Sequence, residues 1–155
     1  MITKLGVATA YVSDYDQALD FFVGKLGFEP RTDVMMENGF RWLTVGPPAS
    51  PEFQLNLTVP GPPMHDEQTA AALRELMAKG ALSAGAWNTD DCRATYEQYK
   101  ARGVEFIQEP ADRPYGVEAV FRDDFGNWYS LNELNDKALD QQAMAEAFEP
   151  GSETS

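Results

Sequence analysis

The sequence predicts an α+β fold built from two tandem β-α-β-β-β units whose sheets together form a cleft. Three observations carry this. The first is a repeat. Val12-Ser13-Asp14 precedes Thr89-Asp90-Asp91 by 77 positions, and Leu26-Gly27-Phe28-Glu29 precedes Arg102-Gly103-Val104-Glu105 by 76. Val45 and Gln54 precede Phe121 and Ser130 by 76, as they would if the intervening loops were equal in length. A near-constant offset marks an internal duplication. The second is that each half opens with a strand-like stretch, a polar cap, an amphipathic helical run and a glycine. The third is Asp123-Asp124-Phe125-Gly126-Asn127, a cluster of turn formers between two stretches rich in strand-forming residues.

The first half reads in order. Lys4 to Val12 alternates loosely as a strand, and Ser13 or Asp14 can cap a helix by accepting from free amides of its first turn. Ala18, Phe21, Phe22 and Leu26 recur at helical spacing, which predicts a helix over Asp16 to Leu26. Phe28 to Met35 is a strand, Asn38-Gly39 a hairpin signal and Arg41 to Val45 a third strand. Phe53 to Val59 is a fourth, of clean period two. Residues 3–59 thus form one unit.

Pro60-Gly61-Pro62-Pro63 breaks the pattern, and residues 60–81 read as a linker whose helix runs from Asp66 to Lys79. The second unit, 82–134, repeats the first. Leu82 to Asn88 is a strand, Thr89 to Asp91 a cap, Cys92 to Arg102 a helix and Val104 to Gln108 a strand. Val117 to Phe121 and Trp128 to Leu134 complete it. Residues 1–134 therefore make a single domain, followed over 135–155 by a C-terminal helix and a disordered tail. Asn135 to Phe148 carries an apolar stripe of Leu139, Ala143, Met144, Ala147 and Phe148. Such a helix is marginal alone and is expected to dock.

Bulk properties exclude several function classes. A net charge of −13 over 155 residues repels nucleic-acid phosphates, so no nucleic-acid partner is expected. It suits solubility, or a field that draws in a cationic small molecule. One cysteine, Cys92, rules out an internal disulfide and a cysteine metal cluster. With no signal-peptide pattern at Met1 to Leu5, the expectation is a cytoplasmic protein with no membrane partner.

The Asp-x-x-Gly-Asn turn before an alternating strand, set in a duplicated β-α-β-β-β chain, resembles the vicinal oxygen chelate superfamily. That superfamily includes glyoxalase I, extradiol dioxygenases, fosfomycin-resistance enzymes and bleomycin-resistance proteins. The resemblance spans roughly residues 3–134 and implies that the faces of the two sheets away from the helices line the functional cleft. It also implies four metal-ligand positions, carried over here as Val7, Gln54, Ala84 and Ser130. Two are hydrocarbons and none is charged, so no metal and no cofactor is expected. His65, the single histidine, lies in the linker and is expected in a solvated loop.

Without a metal, the resemblance implies binding or sequestration of a small molecule, cationic or aromatic, by a homodimer. Strand alternation sends Phe53, Leu55 and Leu57 to the helix side and Gln54, Asn56 and Thr58 to the other. The ligand-facing candidates are Val7, Thr9, Tyr11, Trp42, Thr44, Gln54 and Asn56 in the first unit. Those of the second are Ala84, Ala86, Asn88, Glu118, Val120, Trp128, Ser130 and Asn132. Tyr115 and Met35 or Met36 are expected on loops that could close over a ligand. Trp87 is expected on the helix side, and Cys92 in the core facing the sheet. The competing class is a metal-independent enzyme of lyase or isomerase type. For it, Glu118 and Tyr11 are the inward titratable candidates.

Overall fold

Aspartates start the helices. Asp14 accepts from Gln17 N at 2.8 Å, Asp66 from Thr69 N at 2.7 Å, and Asp91 from Ala94 N at 2.8 Å. Each satisfies an amide that a first helical turn leaves unpaired. The computed structural model describes residues 1–149. Its elements follow the duplicated plan, and the chain divides into two compact units.

The first unit comprises Met1–Ala84 together with the turn Asp123–Asn127. Its sheet has the order β1-β4-β3-β2, from β1 (Val7–Tyr11), β2 (Glu29–Met35), β3 (Arg41–Gly46) and β4 (Gln54–Thr58). β1 runs parallel to β4, and the other pairs are antiparallel. Leu43, Val45, Leu55 and Leu57 are fully buried, as are Ala18, Phe21 and Phe22 of the helix. The predicted Asp16–Leu26 helix is α-helical only over α1 (Tyr15–Leu19) and widens to a π-helical turn over Asp20–Lys25. Leu26 N donates to Phe21 O, one residue further back than an α-helix allows. The wider turn leaves the adjacent Phe21 and Phe22 both at 0% exposure, ring edge to face at 5.1 Å. α2 (Glu67–Ala78) matches the predicted linker helix.

The second unit holds Gly85–Arg122 and, among the described residues, the chain from Trp128 to residue 149. Its sheet order is β5-β8-β7-β6, from β5 (Ser83–Asn88), β6 (Glu105–Arg113), β7 (Gly116–Arg122) and β8 (Trp128–Leu134). α3 (Cys92–Ala101) lies over an aromatic core. Phe121 stacks on Tyr129 at 5.1 Å, with Phe106 and Tyr99 edge-on or tilted around Phe121. β6 runs five residues past its predicted end, paired to β7 through two register shifts.

Two expectations fail. The loops joining the last two strands are not equal: residues 47–53 span seven positions and residues 123–127 five. Hydrogen bonds show the result. Val12 N donates to Thr58 O and, 77 positions on, Thr89 N donates to Asn132 O, only 74 beyond Thr58. Gln54 therefore corresponds to Trp128, Asn56 to Ser130, and Thr58 to Asn132.

The C-terminal helix is also shorter than predicted. α4 spans Gln141–Ala147 behind an Asp140 cap. Ala143 is buried, but Leu139 at 97% and Phe148 at 75% exposure do not pack. Turns at residues 136–139 take the place of the predicted first helical turn. The tail predicted as disordered lies outside the described residues. No helix among these is long and apolar enough to cross a membrane.

Candidate functional site

β4 carries the centre of the first unit's polar face. Thr9, Asn56 and Thr44 lie side by side across β1, β4 and β3. Thr44 Oγ1 accepts from Thr32 N at 3.1 Å and donates to Gln54 Oε1 at 2.8 Å. Asn56 Nδ2 donates to Thr58 Oγ1 at 2.8 Å and to Thr9 Oγ1 at 3.4 Å. Thr44, Asn56 and Thr58 are buried, and Tyr11, Trp42 and Gln54 form a half-exposed rim. Val7 and Thr9 are exposed. Asn56 is only 6% exposed, yet its Oδ1 has no hydrogen-bond partner. A buried acceptor left unpaired is destabilising.

A separate hollow is lined by none of these rim residues. About 360 Å³ is lined by Tyr15, Met35, Phe40, Arg41, Pro60 and Pro62, among others. Arg41 lies over the Tyr15 ring at 5.0 Å and holds Asp33 through two bonds of 2.8 Å. That bidentate contact keeps the Asp33 carboxyl below its ordinary range. Phe40 sits 6.3 Å from Trp42. Tyr15, Phe40 and Arg41 are not among the residues expected from the sequence. Their signal was the Phe40-Arg41 pair after the Asn38-Gly39 turn, opposite a proline-rich break.

On the second sheet, Glu118 pairs with Asn132 and Val120 with Ser130. Val120, Trp128 and Ser130 are half-exposed, Asn88 and Ala86 exposed, and Ala84 intermediate. Trp87 lies 6.5 Å from buried Tyr129, on the helix side as expected. Tyr115 is not a free loop residue. It sits in the two-residue β6–β7 turn, 7% exposed, and donates to Glu118 Oε2 at 3.0 Å. Cys92 is buried, its thiol directed at Leu131 O at 3.5 Å, while its N–H donates to Glu133 Oε2. His65 packs edge-on to Tyr11 at 5.7 Å and accepts from Gly61 N at 3.4 Å, so it is a half-buried turn residue.

The corrected register changes the metal-ligand set. Ser130 lies three residues after Asn127, and its counterpart is Asn56 at the centre of β4, not Gln54. If Ser130 marks one of the four positions that the resemblance implies, its first-unit mate is Asn56, and Gln54 is the mate of Trp128. An amide and a hydroxyl beside two hydrocarbons do not fit a divalent ion. Among the described residues, no group of three or more His, Cys, Asp or Glu is placed to hold one.

Comparison with known proteins agrees with the plan. A solved structure of UcmS2 is 49% identical, covers 86% of this chain and 99% of its own, and superposes with a TM-score of 0.82. TnmS3, an antibiotic binding protein from Streptomyces sp. CB03234, is 30% identical over 86% of this chain and 98% of its own, with a TM-score of 0.68. An uncharacterized protein of Shewanella frigidimarina is 37% identical over 131 residues, 81% of this chain and 90% of its own length. The model of one family matches residues 4–131, and the chain belongs to the Glyoxalase/Bleomycin resistance protein/Dioxygenase superfamily.

Proposed function

We propose that this protein binds an aromatic small molecule without a metal, on the polar, aromatic-rimmed faces of its sheets, and acts by sequestration as a cytoplasmic homodimer. The observation that carries the reading is Asn56. As the first-unit counterpart of Ser130, one of the ligand positions that the family resemblance implies, this chain has a buried amide whose Oδ1 lacks a partner. Around it stand Trp42, Tyr11 and Gln54, the mix of aromatic surface and a few polar groups that binds drug-sized compounds. The antibiotic-binding role of TnmS3 supports the same reading. The charge of −13 favours a cationic ligand through long-range attraction.

Acridine and N-methylacridinium test this on protein stripped of metal with a chelator. Saturable quenching of tryptophan fluorescence is expected. It should be tighter for the cation at low salt and weakened in Trp42→Phe and Asn56→Leu variants, with the compound recovered unchanged. Binding that appears only after a divalent metal is restored would refute the proposal. Chemically altered compound would favour the metal-independent enzyme, with Glu118 or Tyr11 as its base.

A further inference from the structure

The hollow of the first unit joins apolar walls to one charged side chain. Met35, Phe40, Pro60 and Pro62 line about 360 Å³ beside Tyr15 and Arg41. That volume lies within the range of small-molecule sites and has room for one bicyclic ring system. Thr9, Thr44 and Asn56 of the polar sheet face do not line it.

Arg41 is held in place there. Its Nε and Nη2 each donate to Asp33 at 2.8 Å, and the guanidinium lies 5.0 Å over the Tyr15 ring. A bidentate carboxylate and a stacked ring together fix the plane and the direction of the group. Two donor nitrogens are thereby engaged, while Nη1 makes no hydrogen bond within the described chain and stays open to solvent. The side chain as a whole is 24% exposed. Nη1 is therefore an oriented donor that a ligand can reach.

Charge decides what it can receive. Asp33 already offsets the guanidinium, and Asp16 adds a second carboxylate close enough to act on Arg41. An anion would meet both carboxylates and the overall charge of −13. A cation would meet the guanidinium, which also covers the Tyr15 ring. A neutral acceptor meets neither obstacle. Hydrogen bonds from an ionised donor are also stronger than those between neutral groups.

We propose that this hollow is a second binding site, separate from the sheet faces. It takes a neutral bicyclic aromatic lactone or amide, whose carbonyl oxygen accepts from Arg41 Nη1 while its rings pack on Phe40, Met35 and Pro62. Asp33 is a positioning residue that aims the guanidinium and keeps anions out. The site's selectivity is thus opposite to the cation preference proposed for the sheet faces.

The test is an amide-resolved NMR titration of the full chain with coumarin, naphthalene and coumarin-3-carboxylate. Coumarin should shift the amides of Gly39, Phe40, Arg41 and Gly61 saturably, and leave those of Thr9, Thr44 and Asn56 in place. Arg41→Met should weaken coumarin about tenfold or more and change naphthalene by less than about threefold. In the wild type, coumarin-3-carboxylate should bind more weakly than coumarin. Asp33→Asn keeps the guanidinium but removes the offsetting charge, so the ratio should move at least about threefold toward the carboxylate.

Coumarin binding that survives in Arg41→Met would overturn the proposal, as would a wild-type preference for the carboxylate. An unchanged ratio in Asp33→Asn would overturn the part given to Asp33. N-methylacridinium, titrated in the same way, separates the two sites. If it shifts the sheet-face amides while coumarin shifts none near the hollow, this proposal fails and the sheet-face reading stands. The reverse pattern would uphold the hollow and refute the sheet-face reading.

Discussion

Asn127 Nδ2 donates to the backbone carbonyl of Tyr11 at 2.7 Å, across 116 residues of sequence. The same amide nitrogen donates to Asp123 Oδ2 at 2.7 Å, and Asp123 Oδ1 accepts from the N–H groups of Phe125 and Asn127. The turn most visible in the sequence is therefore a closed network, buried with Asn127 at 1% and Asp123 at 5% exposure. Asn127→Ala leaves a carbonyl and a carboxylate short of a donor. It should destabilise the protein by about 2–3 kcal/mol in urea unfolding. Asn127→Asp should be worse, since it sets a second carboxylate against the first. A loss under about 0.5 kcal/mol would show that the network is dispensable.

Two glycines of positive φ admit no side chain. Gly116 has φ +143° and Gly126 φ +93°, both in the region L-residues rarely adopt. An added Cβ at Gly116 would collide with the Glu133 carbonyl, and one at Gly126 with the Met77 carbonyl. Either alanine variant should lose more than about 2 kcal/mol or fail to accumulate as soluble protein. Gly24, in the π-helical turn, has nothing within 4 Å of where an added methyl would sit and no such φ. Gly24→Ala should therefore gain about 0.5–1 kcal/mol.

Alkaline stability follows from Tyr115. Burial first, and Glu118 second, raise its pKa from 10 to about 12. The folded value lies above the unfolded one, so the folded state holds the proton more tightly. The stabilisation is complete below pH 10 and is lost as pH rises through 12. Unfolding free energy measured across this window should fall with pH in the wild type and fall less steeply in Tyr115→Phe. Equal slopes would contradict the assignment.

Cys92 should be inert. Burial, then the Glu133 carboxylate, push its thiol pKa up, which opposes thiolate formation. A disulfide reagent such as DTNB should find no fast-reacting thiol in the folded protein and one per chain in denaturant. Rapid reaction of the native protein would place the thiol at the surface.

Much of the fold was legible because its signals are local. Caps at Asp14 and Asp91, the linker helix from Asp66, alternation in β4 and β8, and the Asn38-Gly39 and Gly126-Asn127 turns are each read within a few residues. The register error at Gln54 and Ser130 has a different origin. A slip of one residue turns every side chain to the wrong face, but a slip of two preserves the alternation. The two-residue shortening between β7 and β8 therefore left the pattern intact, and the loop lengths and the hydrogen bonds of Val12 and Thr89 reveal it. The Tyr15, Phe40 and Arg41 hollow arises from contacts between separate strands and loops. The over-long C-terminal helix shows the converse, since an apolar stripe needs a packing surface and Leu139 and Phe148 have none within the described chain.

Metal-free binding is tested most directly by native mass spectrometry of gently purified protein, repeated after chelation. The expected result is a homodimer with no stoichiometric divalent metal and an organic adduct that survives chelator treatment. A divalent metal at one per site, whose removal releases the adduct, would contradict metal-free binding and would restore the metal-dependent chemistry of the superfamily to this chain.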